Sequence, residues 1–150
     1  MCIMWFFKKA PKLDEYRRSP LHYAAADGDV KEARAQIAKG TDVNAADVNG
    51  WTPLHFAAQA QSAEIVRALT EKGGDVRAQD RHGNTPLFTA VSKYNGDPAT
   101  VEALRAAGSD PLKKNKHGVS PVSLARTIAN FDVAKCFADV PAETRAAEAT

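Results

Sequence analysis

The tetrapeptides SPLH at Ser19, TPLH at Thr52, TPLF at Thr85 and SPVS at Ser120 recur at spacings of 33, 33 and 35 residues. A fixed period in that range constrains the fold more than any other feature of the chain. It demands that one supersecondary unit be built again and again. The likeness extends beyond the tetrapeptide. Asp14, Asp47, Asp80 and Asn115 each stand five residues before the Ser or Thr, and Gly50, Gly83 and Gly118 stand two before it. Gly40, Gly73 and Gly108 close the second half of the first three units.

Each part of the unit has a physical reading. Ser or Thr followed by Pro starts a helix: the hydroxyl caps a free backbone N–H, and Pro sits at the first helical position where it loses no bond. In the second unit Thr52 and Pro53 open a short apolar helix with Leu54, Ala57 and Ala58, and the alanines let neighbouring helices approach closely. Thr85 and Pro86 do the same in the third unit. A second helix carries Ile65, Val66 and Leu69 at helical spacing, and Gly73 supplies the left-handed residue that ends it. The linker 42–50 is too rich in Asn, Asp and Gly for helix and reads as a protruding turn or hairpin.

A helix pair of this kind cannot bury its apolar face alone, so units stack into a solenoid whose end units differ from the middle. The ends do differ. Glu32 and Gln36 fall where the second unit has Ile65 and Leu69, and Arg17 replaces the turn glycine. In the fourth unit Arg126 replaces Ala58, and no closing glycine follows before Pro141.

The 33-residue period with TPLHFA at 52–57 and GGDV at 73–76 resembles the ankyrin-repeat family. The resemblance covers residues 14–140 as four units starting near 14, 47, 80 and 115. It leaves an apolar and basic arm, 1–13, and a tail, 141–150, read as a frayed helix or disordered. It implies an all-α solenoid of four helix–turn–helix units with protruding hairpin loops. The departures are Phe88 and Ser123 at the His position, Gln61 where the family favours Gly, and two extra residues in the loop 92–98. A loop lengthened that little costs only tenths of a kcal/mol.

Catalytic chemistry finds little support. His22 and His55 share one repeat position, where the resemblance implies a structural hydrogen-bonding role within and between units. His82 and His117 lie at turn tips, either solvated or in contact with a partner. There is no His pair at metal-binding helical spacing, no Gly-rich phosphate loop before a Lys and no nucleophile elbow. A stacked solenoid with short loops offers no deep cleft in which to tune paired carboxylates. The expectation is a non-enzyme without cofactor, metal or small-molecule substrate. Cys2 and Cys136 sit at opposite ends of a stack whose layers are roughly 8–10 Å apart, beyond the ~7 Å reach of a disulfide. Cys136 reads as a small filler in a second helix; Cys2 is either a plain thiol or a lipidation site.

The resemblance places partner recognition on the hairpin tips and the exposed side of the first helices. Carried over by position, those residues are Glu15, Tyr16 and Arg18; Val48, Asn49 and Trp51; Arg81, His82 and Asn84; and Lys116, His117 and Val119. The first helices add Ala26, Asp27, Gln59, Ala60, Ser92 and Lys93. The chain's net charge is only +2, yet Arg17, Arg18, Arg81, Lys93 and Lys116, with Lys113 and Lys114 beside them, face only Glu15 and Asp27 in this set. Either this is a solvated face or it steers the chain toward an acidic protein surface. Trp51 stands outside the helix core, and Trp and Arg dominate interface hot spots. It either contacts a partner or packs on a neighbouring hairpin.

The leading expectation is a non-catalytic, cytoplasmic protein-binding module. With no second domain expected, blocking or masking its partner is more natural than scaffolding. Small stand-alone ankyrin proteins of this kind resemble bacterial inhibitor or immunity proteins, and the basic edge argues against a nuclease target. One alternative is nucleic-acid binding through the basic edge, which lacks interleaved aromatics beyond Trp51 and Tyr16. Another is a membrane-apposed adaptor using the start MCIMWFF, seven apolar residues before Lys8 and Lys9. Its charge order is the reverse of a secretory signal, so it reads as non-cleaved. That arm either covers the first unit, stays loose, or touches a membrane weakly.

Overall fold

The computed structural model describes residues 13–128 and 132–141. Residues 1–12 of the arm, with Cys2, and the tail from residue 142 lie outside the described residues. Helices α1 (Pro20–Asp27) and α2 (Val30–Ala38) form the first pair, and α3 (Pro53–Gln59) and α4 (Ala63–Glu71) the second. Helices α5 (Pro86–Ser92) and α6 (Ala99–Ala106) form the third. In the fourth, α7 (Pro121–Thr127) is followed by a 3-10 helix, Asp132–Phe137. There is no strand among the described residues. First helices stack in one layer, α1 on α3 on α5 on α7, and second helices in another, α2 on α4 on α6. This is the expected all-α solenoid.

The core runs continuously through the stack. Leu21, Leu54, Leu87 and Val122, from the same repeat position, are each at most 1% exposed, as are Ala25, Ala58 and Ala90. Ile65, Val66 and Leu69 of α4 are wholly buried. Each first helix opens with Pro in its first turn behind an extended Ser or Thr cap.

The left-handed positions explain two of the departures. Arg17 keeps φ at 61° where the later units use glycine, at 80° in Gly50. Gln61 likewise holds φ at 54° at the position Gly28 occupies in the first unit. Its amide donates to Ala58 O and, across the stack, to Ala90 O at 2.9 Å. A strained residue is kept because its side chain bridges two units. The loop 92–98 folds inward through Tyr94, which is 8% exposed.

At the first unit Gln36, which stands where the second unit has Leu69, is nonetheless buried, at 8% exposed. Its amide donates to Glu32 and its carbonyl accepts from Thr41, so local hydrogen bonds carry its burial. At the other end Arg126 is exposed and donates to Val140 O. Arg105 reaches from α6 across the 3-10 helix to Asp139 at 2.7 Å, with its guanidinium over the Phe137 ring. Cys136 is half-buried in that 3-10 helix, and burial pushes its thiol up.

Candidate partner-binding groove

Four five-residue fingers, 14–18, 47–51, 80–84 and 115–119, project between the helix pairs. Each closes on itself, the first residue's N–H donating to the fifth residue's carbonyl: Asp14 to Arg18, Asp47 to Trp51, Asp80 to Asn84 and Asn115 to Val119. The side chain of that first residue then accepts the N–H groups of the third and fifth residues. The recurrent aspartates therefore organise turns, and Asn115 does so as well because one oxygen suffices for both bonds.

Adjacent fingers are tied together. Val48 N–H donates to Tyr16 O, Arg81 N–H to Asn49 O and Lys116 N–H to His82 O, each at 3.0 Å. The approach is close enough that a Cβ on Gly83 would lie 2.9 Å from Lys116 N. A second tie comes from side chains at the fifth position. Arg18 Nε donates to Asp47 Oδ2 at 3.0 Å, and Trp51 Nε1 to Asp80 Oδ2 at 3.1 Å. Between the third and fourth fingers the polarity reverses, Asn115 Nδ2 donating to Asn84 Oδ1 at 2.8 Å. Three chemically unlike side chains do one job.

His22 and His55 provide a third tie. Both are wholly buried. Nδ1 of each accepts the N–H of its own helix cap, Ser19 or Thr52. Nε2–H then donates forward, from His22 to Ala45 O and from His55 to Asn84 O. Burial pushes both imidazoles below their ordinary value, so both are neutral, with the proton on Nε2. At the same position Ser123 bonds the Ser120 cap within its own unit.

Between the second and third fingers lies a groove of about 460 Å³. Arg18, Asn49, Trp51, Gln59, Arg81, His82 and Asn84 all line it, so the structure brings together seven of the tip and helix positions named from sequence. Phe56 and Asp80 line it too. Phe56 was missed because it follows the His inside the motif and reads as core. Its repeat position holds Tyr23, Phe56, Thr89 and Leu124, and that variation was the available signal. Trp51 is half-buried, with its ring 5.0 Å from Phe56 and 5.7 Å from His55. Of its two readings, packing on the neighbouring finger is what the geometry contains.

The remaining positions lie outside the groove. Tyr16 is exposed beside Arg18, whose guanidinium sits 5.2 Å over its ring and 5.0 Å over Phe56. Val48 is 52% exposed at its fingertip. His117 faces His82 with ring centroids 6.1 Å apart. Glu15, Lys116, Ala26, Asp27, Ser92 and Lys93 are exposed, and Ala60 and Val119 half-buried.

The charges do not form one uniform edge. At the first unit a recess of about 380 Å³ is lined by Asp14, Asp27, Asp29 and Glu32 against the single cation Arg18. Lys113 lines a separate cavity of about 310 Å³ with Arg77 and Asp110. From the third finger onward the balance changes. Arg81, Lys93, Lys113, Lys114 and Lys116 form no ion pair with a carboxylate among the described residues.

A family model described as ankyrin repeats in three copies matches residues 21–115. The chain belongs to the ankyrin-repeat family. Ankyrin repeats are generally protein–protein interaction modules and typically non-catalytic. No curated protein matches the chain significantly. Among the described residues, no helix is long and apolar enough to cross a membrane.

Proposed function

We propose that this chain binds, and by binding masks or inhibits, a partner protein through its second to fourth fingers and the groove between the second and third. The observation that carries the reading is that positions free to vary between units converge on one concavity. The backbone around them is locked by three repeated sets of hydrogen bonds. A site already held in shape does not have to be ordered when the partner arrives, which leaves more of the contact energy for affinity. Variable side chains on a rigid scaffold are the usual arrangement for recognition.

The test is affinity capture from the native organism's lysate, comparing the wild-type chain with an Arg81→Glu, Lys116→Glu double variant. Trp51 is left intact because it braces Asp80 and its loss would disturb the scaffold. Capture of a specific partner by the wild type alone supports the reading. Equal capture by both chains rejects it. Abolition of the partner's own activity in the purified complex distinguishes inhibition from passive masking.

A further inference from the structure

The groove's hydrogen-bonding balance points to the chemistry of what enters it. Asp80 accepts the His82 and Asn84 N–H groups on Oδ1, and the Trp51 indole and Asn84 amide on Oδ2. Asp47 accepts the Asn49 and Trp51 N–H groups, and Arg18 takes its other oxygen. Both carboxylates are at most 5% exposed. The two carboxylates are thus spent on the scaffold while Arg81 keeps guanidinium N–H groups to donate. Arg81 uses Nε on His82 and Nη1 on Asn49 Oδ1, neither of them an acid. The exposed Gln59 makes no side-chain hydrogen bond among the described residues, so its amide offers both a donor and an acceptor. Beyond the groove the fourth finger has Asn115 where its neighbours have aspartate, so Lys116 has no carboxylate within its own finger, while Lys113 lies beside Asp110. Trp51 and Phe56 supply an aromatic wall beside these donors.

A site with unspent guanidinium donors, beside an aromatic surface and a basic margin, matches a carboxylate carried next to an apolar side chain. We infer that the groove between the second and third fingers receives an Asp or Glu side chain from an acidic segment of the partner protein. Arg81 binds its carboxylate, the neighbouring apolar side chain rests on Trp51 and Phe56, and the segment continues toward Lys116. The inference rests on the interface proposed above.

The experiment selects random peptides displayed on phage against the full chain. Selected peptides are then synthesised with their acidic residues intact or replaced by the corresponding amides. Each is titrated against wild type, Arg81→Gln, Lys116→Gln, Gln59→Ala and an Arg77→Gln, Lys113→Gln double variant, with thermal unfolding of every variant to show that the scaffold is intact. The selected peptides are expected to carry an acid beside an apolar residue. Amide replacement and Arg81→Gln should each weaken binding about tenfold, and Lys116→Gln less. The inference is overturned by a library that yields no binder. It is also overturned by neutral peptides that bind as well, or by a folded Arg81→Gln chain with unchanged affinity. Neutral peptides that still require Gln59 reject the carboxylate and leave the interface standing. Peptides lost only on replacing Arg77 and Lys113 move the interface to the other cavity and reject both. A single-stranded oligonucleotide that displaces every selected peptide rejects the inference in favour of nucleic acid.

Discussion

Trp51 of the second finger donates its indole N–H to Asp80 of the third, as Arg18 of the first donates to Asp47 of the second. Both donors occupy the fifth finger position and both acceptors the first. The relationship shows how residues that look free to vary are still bound by the architecture. The scaffold requires a hydrogen-bonding group there, and leaves its size and charge open.

The buried turn carboxylate should therefore govern stability. Asp80→Ala strands the His82 and Asn84 N–H groups and the Trp51 indole, and should cost about 2–4 kcal/mol. Asp80→Asn keeps one oxygen for the two backbone donors, as Asn115 does in the fourth finger, but turns an amide N–H toward the Trp51 indole N–H. It should cost less than Asp80→Ala while still losing the tie between fingers. Urea unfolding of the two variants checks the order. Equal losses would mean that the two backbone bonds, which Asn retains, are not what makes the residue important.

Arg17 is exposed and holds φ at 61°. A left-handed conformation costs a non-glycine residue roughly 1–2 kcal/mol, partly offset by the entropy glycine loses on folding. Arg17→Gly should raise stability by about 0.5–1 kcal/mol, read as a higher urea midpoint. A lower midpoint would show that the Arg17 side chain makes a stabilising contact.

His22 and His55 are buried neutral, and burial lowers both below their ordinary value of 6.5. The unfolded chain then takes up protons first as pH falls through that ordinary value, while the folded chain does not. Their contribution is present in full above about pH 6.5 and is lost progressively below it, until the folded imidazoles also protonate. Denaturation midpoints should fall between about pH 7.5 and pH 5. His55→Gln should flatten that fall by removing one of the two groups. An unchanged slope would contradict the neutral assignment.

Arg81 and Lys116 are exposed, and neither pairs with a carboxylate among the described residues. Reversing both charges should shift stability by no more than about 0.5 kcal/mol. Affinity for the captured partner should fall by at least about tenfold, and its salt dependence should shrink. A large loss of stability would move both residues from recognition to scaffold.

The helices and their stacking were legible in the sequence because both follow from short-range chemistry: a Ser or Thr cap, Pro behind it, and apolar residues at helical spacing. The fingers were legible as turns, since Asp and Gly recur at fixed offsets. What the sequence hid was the partners of the contacts between units. Trp51 reaching Asp80 and Gln61 reaching Ala90 are contacts across 29 residues, and no local pattern encodes them. Phe56 escaped for a related reason: in the sequence it lies inside a motif, and only the stack turns one edge of that helix toward the groove. The acidic recess at the first unit was missed because Asp29, the cap of α2, and Glu32 in its first turn join Asp14 and Asp27 only once the chain has folded.

The central claim is that the fingers recognise while the second helices only support. It is tested most directly by hydrogen–deuterium exchange of the chain with and without its captured partner. Exchange should slow at amides in 47–51, 80–84 and 115–119 and at the end of α3 around Gln59, with α2, α4 and α6 unchanged. Slowing confined to α2, α4 and α6, with the finger amides unaffected, would contradict it.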